Sequence, residues 1–222
     1  MEVTHTHDPL GGGAPAELAP PVSLCGSLLR EHRHICAFFN SADDEYRVTL
    51  PFIQEGLRRG DKAYHLVGPD RRDDHLRRLN AAEIDVAALQ QSGQFQLQGW
   101  DESYFGGEGR FDPDQWLGRL EQALSSGPLV TRFVAHMEWA LEDRPGVDRI
   151  VEYEARANYL LPKYKDPVIC CYDLRRFSGD VVMDIMRTHP LVIIGGVLQE
   201  NPFFVPPDQI LEELRGRRHA AC

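Results

Sequence analysis

The run of residues His34–Phe39 constrains this chain more than any other stretch. Its six apolar or weakly polar side chains, with polar punctuation on both sides, are too few for a stable helix and read as a buried strand. Ser41 follows as a helix N-cap, with Asp44 three residues on as the acidic half of a capping box. Tyr46, Leu50, Ile53 and Leu57 then recur at helical spacing up to Gly60, a natural C′ residue. Residues 33–60 therefore form a strand, a turn and a helix, the opening of an α/β core. Period-two alternation puts His34, Cys36, Phe38 and Asn40 on one face of the strand. Asn40 falls at its carboxyl end, where open α/β sheets place their ligands.

The pattern repeats downstream. Residues 62–68 read as a second buried strand, with His65 on the face of Ala63 and Val67, and the Arg-rich stretch 70–80 as an exposed helix. A short helix capped by Asp85, a half-exposed strand over 94–100 and a glycine-rich surface loop over 101–110 follow. Asp112 and Pro113 start a helix that Gly127 and Pro128 stop. Residues 129–139 read as one long strand with Glu138 near its carboxyl end. A helical stripe from Ile150 to Leu160, a strand over 168–173, a helix over 179–188, a strand over 191–196 and a terminal helix over 208–215 complete the chain. This alternation implies a mostly parallel sheet with right-handed crossovers. The proline-rich stretch 199–207 cannot continue a central strand and is expected to fold over an edge or a cleft mouth. Residues 1–26, rich in glycine and proline, are expected to be a disordered tail, 27–215 one domain, and 216–222 a C-terminal tail.

With 222 residues, 42% of them hydrophobic, the chain can bury a sizeable core. A formal charge of -10 argues against a nucleic-acid surface made by the whole domain. The local basic runs at 71–72, 77–78 and 215–218 read as solvated helix faces and a basic tail. No apolar run approaches the roughly 18 residues of a membrane span, and the N-terminus lacks a signal-peptide layout, so a cytoplasmic protein is expected. Five cysteines without a C-x-x-C pair imply reduced thiols, with Cys36, Cys170 and Cys171 behaving as small buried hydrophobes.

The sequence contains no G-x-x-x-x-G-K-[ST], G-x-S-x-G, H-E-x-x-H or G-x-G-x-x-G motif. What remains is a set of polar side chains on strands expected to lie side by side: His34, Cys36, His65, His136, Glu138, Cys171 and Asp173. Imidazole and thiolate suit zinc, but these donors come singly from strands and no pair at ligand spacing anchors them, so no metal site is expected. His5 and His7, in the N-terminal tail, are equally weak as a site.

Several of these segments together resemble a known family. They are Arg33 to Phe39; Glu45, Tyr46 and Arg47; Pro51, Phe52 and Ile53; Glu138 and Trp139; Glu152, Tyr153 and Glu154 with Asn158; Cys171, Tyr172 and Asp173; and Thr188, His189 and Pro190 with Glu200, Asn201 and Pro202. In that order they resemble the MEDS domain, the methanogen/methylotroph sensory domain of a dichloromethane-responsive repressor. The resemblance implies a RecA-like three-layer α/β sandwich with a mostly parallel central sheet and no ATP-binding loop. It also implies sensing of small organic molecules such as simple hydrocarbon derivatives. By the same resemblance, relatives of this kind are often joined to helix-turn-helix, histidine-kinase or anti-sigma-type ATPase segments. Here few residues follow the last expected helix, so output is expected through a histidine kinase, a sigma-factor regulator or a second copy of the chain, without direct nucleic-acid or membrane contact.

The expected function is a stand-alone, non-enzymatic sensory module; the alternative is a small-molecule enzyme or a metal-binding protein on the same fold. No particular cofactor is indicated. The expected ligand site gathers His34, Cys36, Phe38, Asn40, His65, Glu138, Trp139 and Asp173 around one pocket. The loop 101–110 and the segment 201–207, with Phe203 and Phe204, are the elements expected to rearrange.

Overall fold

A computed structural model describes residues 21–125 and 129–220. The first elements are a small antiparallel hairpin, β1 (Val22–Leu24) and β2 (Ser27–Leu29), turned through Cys25 and Gly26 with φ of 50° and 74°. Val22, Leu24 and Leu29 are buried, so residues 22–26 belong to the fold rather than to the disordered tail expected there. Residues 1–20 lie outside the described residues, as do Gly127 and Pro128, the expected helix stop.

β3 (His34–Phe39) is buried along its whole length. Only Asn40 and Ser41 separate it from α1 (Ala42–Arg59), a connection too short to cradle a phosphate. The Ser41 hydroxyl accepts the Asp44 N–H at 3.1 Å, and α1 ends on Gly60, whose φ of 85° is left-handed and favours glycine. β4 (Lys62–Leu66), α2 (Arg72–Ala81), α3 (Val86–Gln91) and β5 (Phe95–Gln98) follow. α4 (Pro113–Leu124) begins on the Asp112 cap and leads to β6 (Thr131–His136), then α5 (Ile150–Leu160), β7 (Val168–Asp173) and α6 (Gly179–Thr188). The chain closes with β8 (Leu191–Ile194), β9 (Val197–Glu200) and α7 (Pro207–Ala220).

Seven strands form the central sheet in the order β5-β4-β6-β7-β3-β8-β9, parallel throughout except for the β8–β9 pair. Alternation along the strands divides the core into two layers. Ile35, Ala37, Phe39, Val134, Ile169 and Cys171 pack with α1, α2 and α3 on one face. Cys36, Phe38, Phe133, Cys170 and Tyr172 pack with α4, α5 and α6 on the other. The fold is thus the expected three-layer α/β sandwich with a mostly parallel sheet. Among the described residues no helix is long and apolar enough to cross a membrane.

Four local features differ from the sequence reading. β6 stops at His136, and Met137–Leu141 form a 3₁₀ turn, so strand alternation does not govern Glu138 and Trp139. The loop 101–110 is anchored, because Ser103, Tyr104 and Phe105 are buried and the Tyr104 ring lies 4.5 Å from those of Trp116 and Trp139. β9 adds an edge strand through the Gly195 and Gly196 turn, just before the prolines that would forbid it in the sheet's centre. α7 runs on to residue 220, past the expected end at 215, because Arg217 pairs with Asp184 of α6 and Arg218 with Glu152 of α5.

Candidate functional site

The connections leaving β3 and β4 run over one face of the sheet and those leaving β6 and β7 over the other, so a crevice is expected at the carboxyl edge between them. Side chains from all four connections meet there. The first turn of α1 supplies Glu45, the loop after β4 supplies Arg71, β6 ends in His136, the 3₁₀ turn supplies Glu138, and β7 ends in Asp173. Glu45 accepts from His136 Nε2 at 2.6 Å and from Arg71 Nη2 at 2.6 Å. The other arm of Arg71 lies 3.6 Å from Glu138, whose carboxylate also accepts the Asp173 N–H at 3.3 Å. Burial alone would raise the Glu45 carboxyl, but the His136 and Arg71 partners outweigh it and bring it down to about 2.

A second chain of buried groups adjoins this one. The Tyr46 hydroxyl is hydrogen-bonded to His75 Nδ1, and His75 Nε2 to His65 Nδ1 at 2.9 Å. Burial, and then repulsion from His136, push the His75 imidazole down to about 3; burial, and then repulsion from His75, holds His65 well below its ordinary value. His65 Nε2, His136 Nδ1 and Glu138 Oε2 are buried without a hydrogen-bond partner among the described residues. Groups of this kind cost about 1–3 kcal/mol each when left unmet.

On the other side of α1 lies an open cleft of about 750 Å³, bounded by α1, the β1–β2 hairpin and the Gly195–Gly196 turn. Phe39, Val48 and Pro51 give it apolar walls, and Ser23, Asn40, Asp44, Arg47, Glu55 and Arg58 give it polar and charged groups. Pro51 stands inside α1 and has no N–H for the Arg47 carbonyl, so this stretch of helix carries an acceptor that its own backbone does not meet.

The opposite face of the sheet holds a separate polar centre made of His34, Glu154, Cys170 and His189, all buried, with donor atoms within 4.8 Å of one another. Tyr172 donates to Glu154 at 2.6 Å. Burial would raise the Glu154 carboxyl, but His189 and His34 hold it below its usual value.

The eight residues expected around one pocket therefore occupy several places. His65, Glu138 and Asp173 belong to the carboxyl-edge cluster, while Asn40 lines the cleft and Phe38 borders it but turns its ring to Tyr172 on the far face. His34 joins the centre on the far face, and Cys36 lies beside it with its thiol toward the Leu191 carbonyl at 3.7 Å. Trp139 is core, packed against Tyr104 and Phe111. Register explains the split. His65 aligns with Val134, Val134 with Ile169, and Ile169 with Ile35, so His65 is one residue out of phase with His34 and Cys36.

Sequence reasoning about the site missed Glu45, Arg71, His75, Glu154 and His189. Glu154 did carry a signal, since a charged residue four positions after Ile150 falls on the buried stripe of α5. His75, four before Leu79, sits likewise on the inner side of α2.

Residues 33–190 match the family described as MEDS, the methanogen/methylotroph, DcmR sensory domain. The chain belongs to the MEDS family. The match runs from the approach to β3 to the junction of α6 and β8, and it contains every residue of both buried polar centres. The transcriptional repressor DcmR of Methylorubrum extorquens (strain DSM 6343 / CIP 106787 / DM4) is 27% identical over 177 residues, covering 77% of this MEDS chain and 63% of the relative. The chain thus spans less than two thirds of that repressor's length.

Proposed function

We propose that this MEDS chain is a non-enzymatic sensory and regulatory module that takes a small organic molecule into the cleft beside α1 and reports its presence to a protein partner. The cleft carries this reading. Its volume, about 750 Å³, suits a small-molecule site, and it sets apolar wall from Phe39, Val48, Pro51 and Phe52 against polar and charged groups at the carboxyl end of β3. Asn40 and Arg47 would orient the polar end of the ligand and Phe39, Val48 and Pro51 would cover its apolar body. Asp44 and Arg47, which now pair on the surface at 3.0 Å, can exchange that pair for a ligand at little cost. His65, Glu138 and Asp173 belong to the network that responds on the inner side of α1. The relative's name as a transcriptional repressor supports an output in transcription control, through a DNA-binding segment, a kinase, a sigma-factor regulator or a second copy of the chain.

The test is a thermal-shift and calorimetric titration of the full chain with short alcohols, carboxylic acids and halogenated hydrocarbons. A bound compound at 100 times its Kd raises the stability by about 2.7 kcal/mol. Ser23→Trp, placed on the exposed rim to fill the cleft, should abolish the effect, and Arg47→Ala should weaken it. Binding that survives both substitutions in a folded chain would place the ligand elsewhere.

A further inference from the structure

The far-face centre brings together four donors from four separate elements: His34 of β3, Glu154 of α5, Cys170 of β7 and His189 at the end of α6. None is more than 3% exposed. Glu154 Oε2 stands 3.1 Å from His34 Nε2 and 3.4 Å from His189 Nε2. Cys170 Sγ stands 3.8 Å from His34 Nε2 and 3.9 Å from Glu154 Oε2.

The hydrogen bonds around the centre decide where the imidazole lone pairs point. Asn158 Nδ2 donates to the carbonyls of Glu154, Ala155 and Thr188, which leaves its Oδ1 facing His34 Nδ1 at 3.1 Å. An amide oxygen only accepts, so His34 Nδ1 carries the hydrogen and the Nε2 lone pair of the neutral ring faces Glu154. His189 Nδ1 lies 3.0 Å from the Ile185 carbonyl, which fixes the same tautomer, and its Nε2 has no hydrogen-bond partner. Outer partners of this kind are what hold metal-ligating histidines in place. Two lone pairs and a carboxylate oxygen thus converge, and a single proton can bridge only one of the two nitrogen–oxygen pairs. A metal ion satisfies all three at once and takes the sulfur as a fourth donor.

Distances agree with this. Zinc binds nitrogen and oxygen at about 2.0–2.2 Å and sulfur at about 2.3 Å, so the edges of its tetrahedron measure about 3.3–3.8 Å. Four of the six donor–donor separations, from 3.1 to 3.9 Å, bracket those edges, and all six lie within 4.8 Å. We propose that His34 Nε2, His189 Nε2, Glu154 Oε2 and the Cys170 thiolate hold one zinc ion. Binding forms four coordinate bonds and releases the Cys170 thiol proton to solvent, with no change of oxidation state. Ligation swings the two rings, now 4.0 Å apart and tilted by 39°, away from each other around the ion.

One thiolate with two imidazoles selects zinc over magnesium, calcium or manganese, and four protein donors leave no open position for a reacting water. The ion would be structural, tying β3 and β7 to α5 and to the α6–β8 junction. A surface cavity of about 140 Å³ lined by His34, Asn158 and Pro190 offers the path of entry. The proposal is independent of the ligand cleft.

The test begins with elemental analysis of the full chain purified without chelators, followed by stripping and titration with Zn²⁺ and Co²⁺. One zinc per chain is expected, and cobalt should give intense tetrahedral visible bands with a near-ultraviolet thiolate charge-transfer band. Cys170→Ser should remove the charge-transfer band, and both it and His189→Gln should weaken the metal by more than the about 10–100-fold that loss of an outer partner costs. Cys171→Ser, on the other face of the sheet, should change neither. Stripped wild-type chain that remains folded by circular dichroism yet takes up neither ion against a weak chelator overturns the proposal. So does cobalt binding that leaves the thiolate band intact in Cys170→Ser. The wild-type titration decides the matter even where a ligand variant fails to fold.

Discussion

Lowering the pH should destabilise this domain through His75, beginning before the carboxylates are protonated. The imidazole is buried on the inner side of α2, between the Tyr46 hydroxyl and His65, and burial followed by repulsion from His136 lowers it from 6.5 to about 3. Between those values the unfolded chain binds a proton that the folded chain refuses. Stability therefore falls as pH falls, starting near 6.5 and finishing near 3. A span of about 3.5 pH units at 1.36 kcal/mol each gives about 5 kcal/mol, as large as the whole stability of many domains. Glu45 adds a loss of the same sign lower down, between 4.5 and about 2, where its depressed carboxyl takes up a proton and its pairs with His136 and Arg71 weaken. The assay is urea unfolding of wild type and His75→Gln from pH 7.5 to 4.5. Glutamine can still bond Tyr46 and His65 but does not titrate. The variant should start less stable at neutral pH and lose the gap on acidification, the wild-type slope exceeding the variant's by up to about 1.4 kcal/mol per pH unit. Parallel slopes would show that His75 is not held neutral by burial.

Two further outcomes rest on one buried arginine. Arg132, 1% exposed, pairs with Asp61 at 2.8 Å and Glu55 at 2.5 Å and donates to the Phe52 carbonyl at 2.7 Å. Arg132→Ala should cost about 3–5 kcal/mol by taking the nearest partner from Asp61, whose other cation, Arg59, stands at 3.9 Å. A loss below 1 kcal/mol in urea unfolding, at about the same m-value, would count against that pairing. Gly56→Ala should destabilise by about 1–3 kcal/mol although alanine is the better helix former, because the new Cβ would stand 2.3 Å from Arg132 Nε, on a side chain pinned in place. A gain in melting temperature would mean that Arg132 can move aside.

The sequence was most readable where local chemistry and burial agree. The β3–α1 unit announced itself through an uninterrupted apolar run, an N-cap serine and a terminal glycine, each of which does in the structure what its residue type suggests. The Asp44 carboxylate accepts the Ser41 hydroxyl at 2.9 Å instead of closing the expected capping box. The β1–β2 hairpin did not, since strands of three residues next to a glycine- and proline-rich segment give too little alternation to register. Arg217 and Arg218 read as a solvated tail because their partners, Asp184 and Glu152, lie on helices far earlier in the chain. The site was harder for a different reason. Alternation assigns faces within one strand, but only the register between strands says whether His34 and His65 share a face, and they do not. The zinc donors, one from each of four elements, could leave no spacing motif at all.

The position of α1 links the cleft to the buried network. Arg47, Val48 and Pro51 line the cleft, whereas Glu45, Tyr46 and Thr49 are buried on the inner side, so neighbouring residues of the same turns face both regions. On the proposed reading, an occupant can shift this helix only to the extent that it binds one of two helix positions better than the other. The present position is held by Glu45, which meets His136 and Arg71 at 2.6 Å each. Withdrawing a buried carboxylate from such partners costs about 3–5 kcal/mol. A ligand that prefers the displaced helix about 100-fold contributes about 2.7 kcal/mol and would leave most chains in the present state, whereas a full switch needs a preference of about 10⁴-fold. Glu45 thus sets the threshold of the sensor. Weakening its pairs, by substitution at Arg71 or by a partner that competes for that guanidinium, would let a weaker ligand move the helix without any change in the cleft.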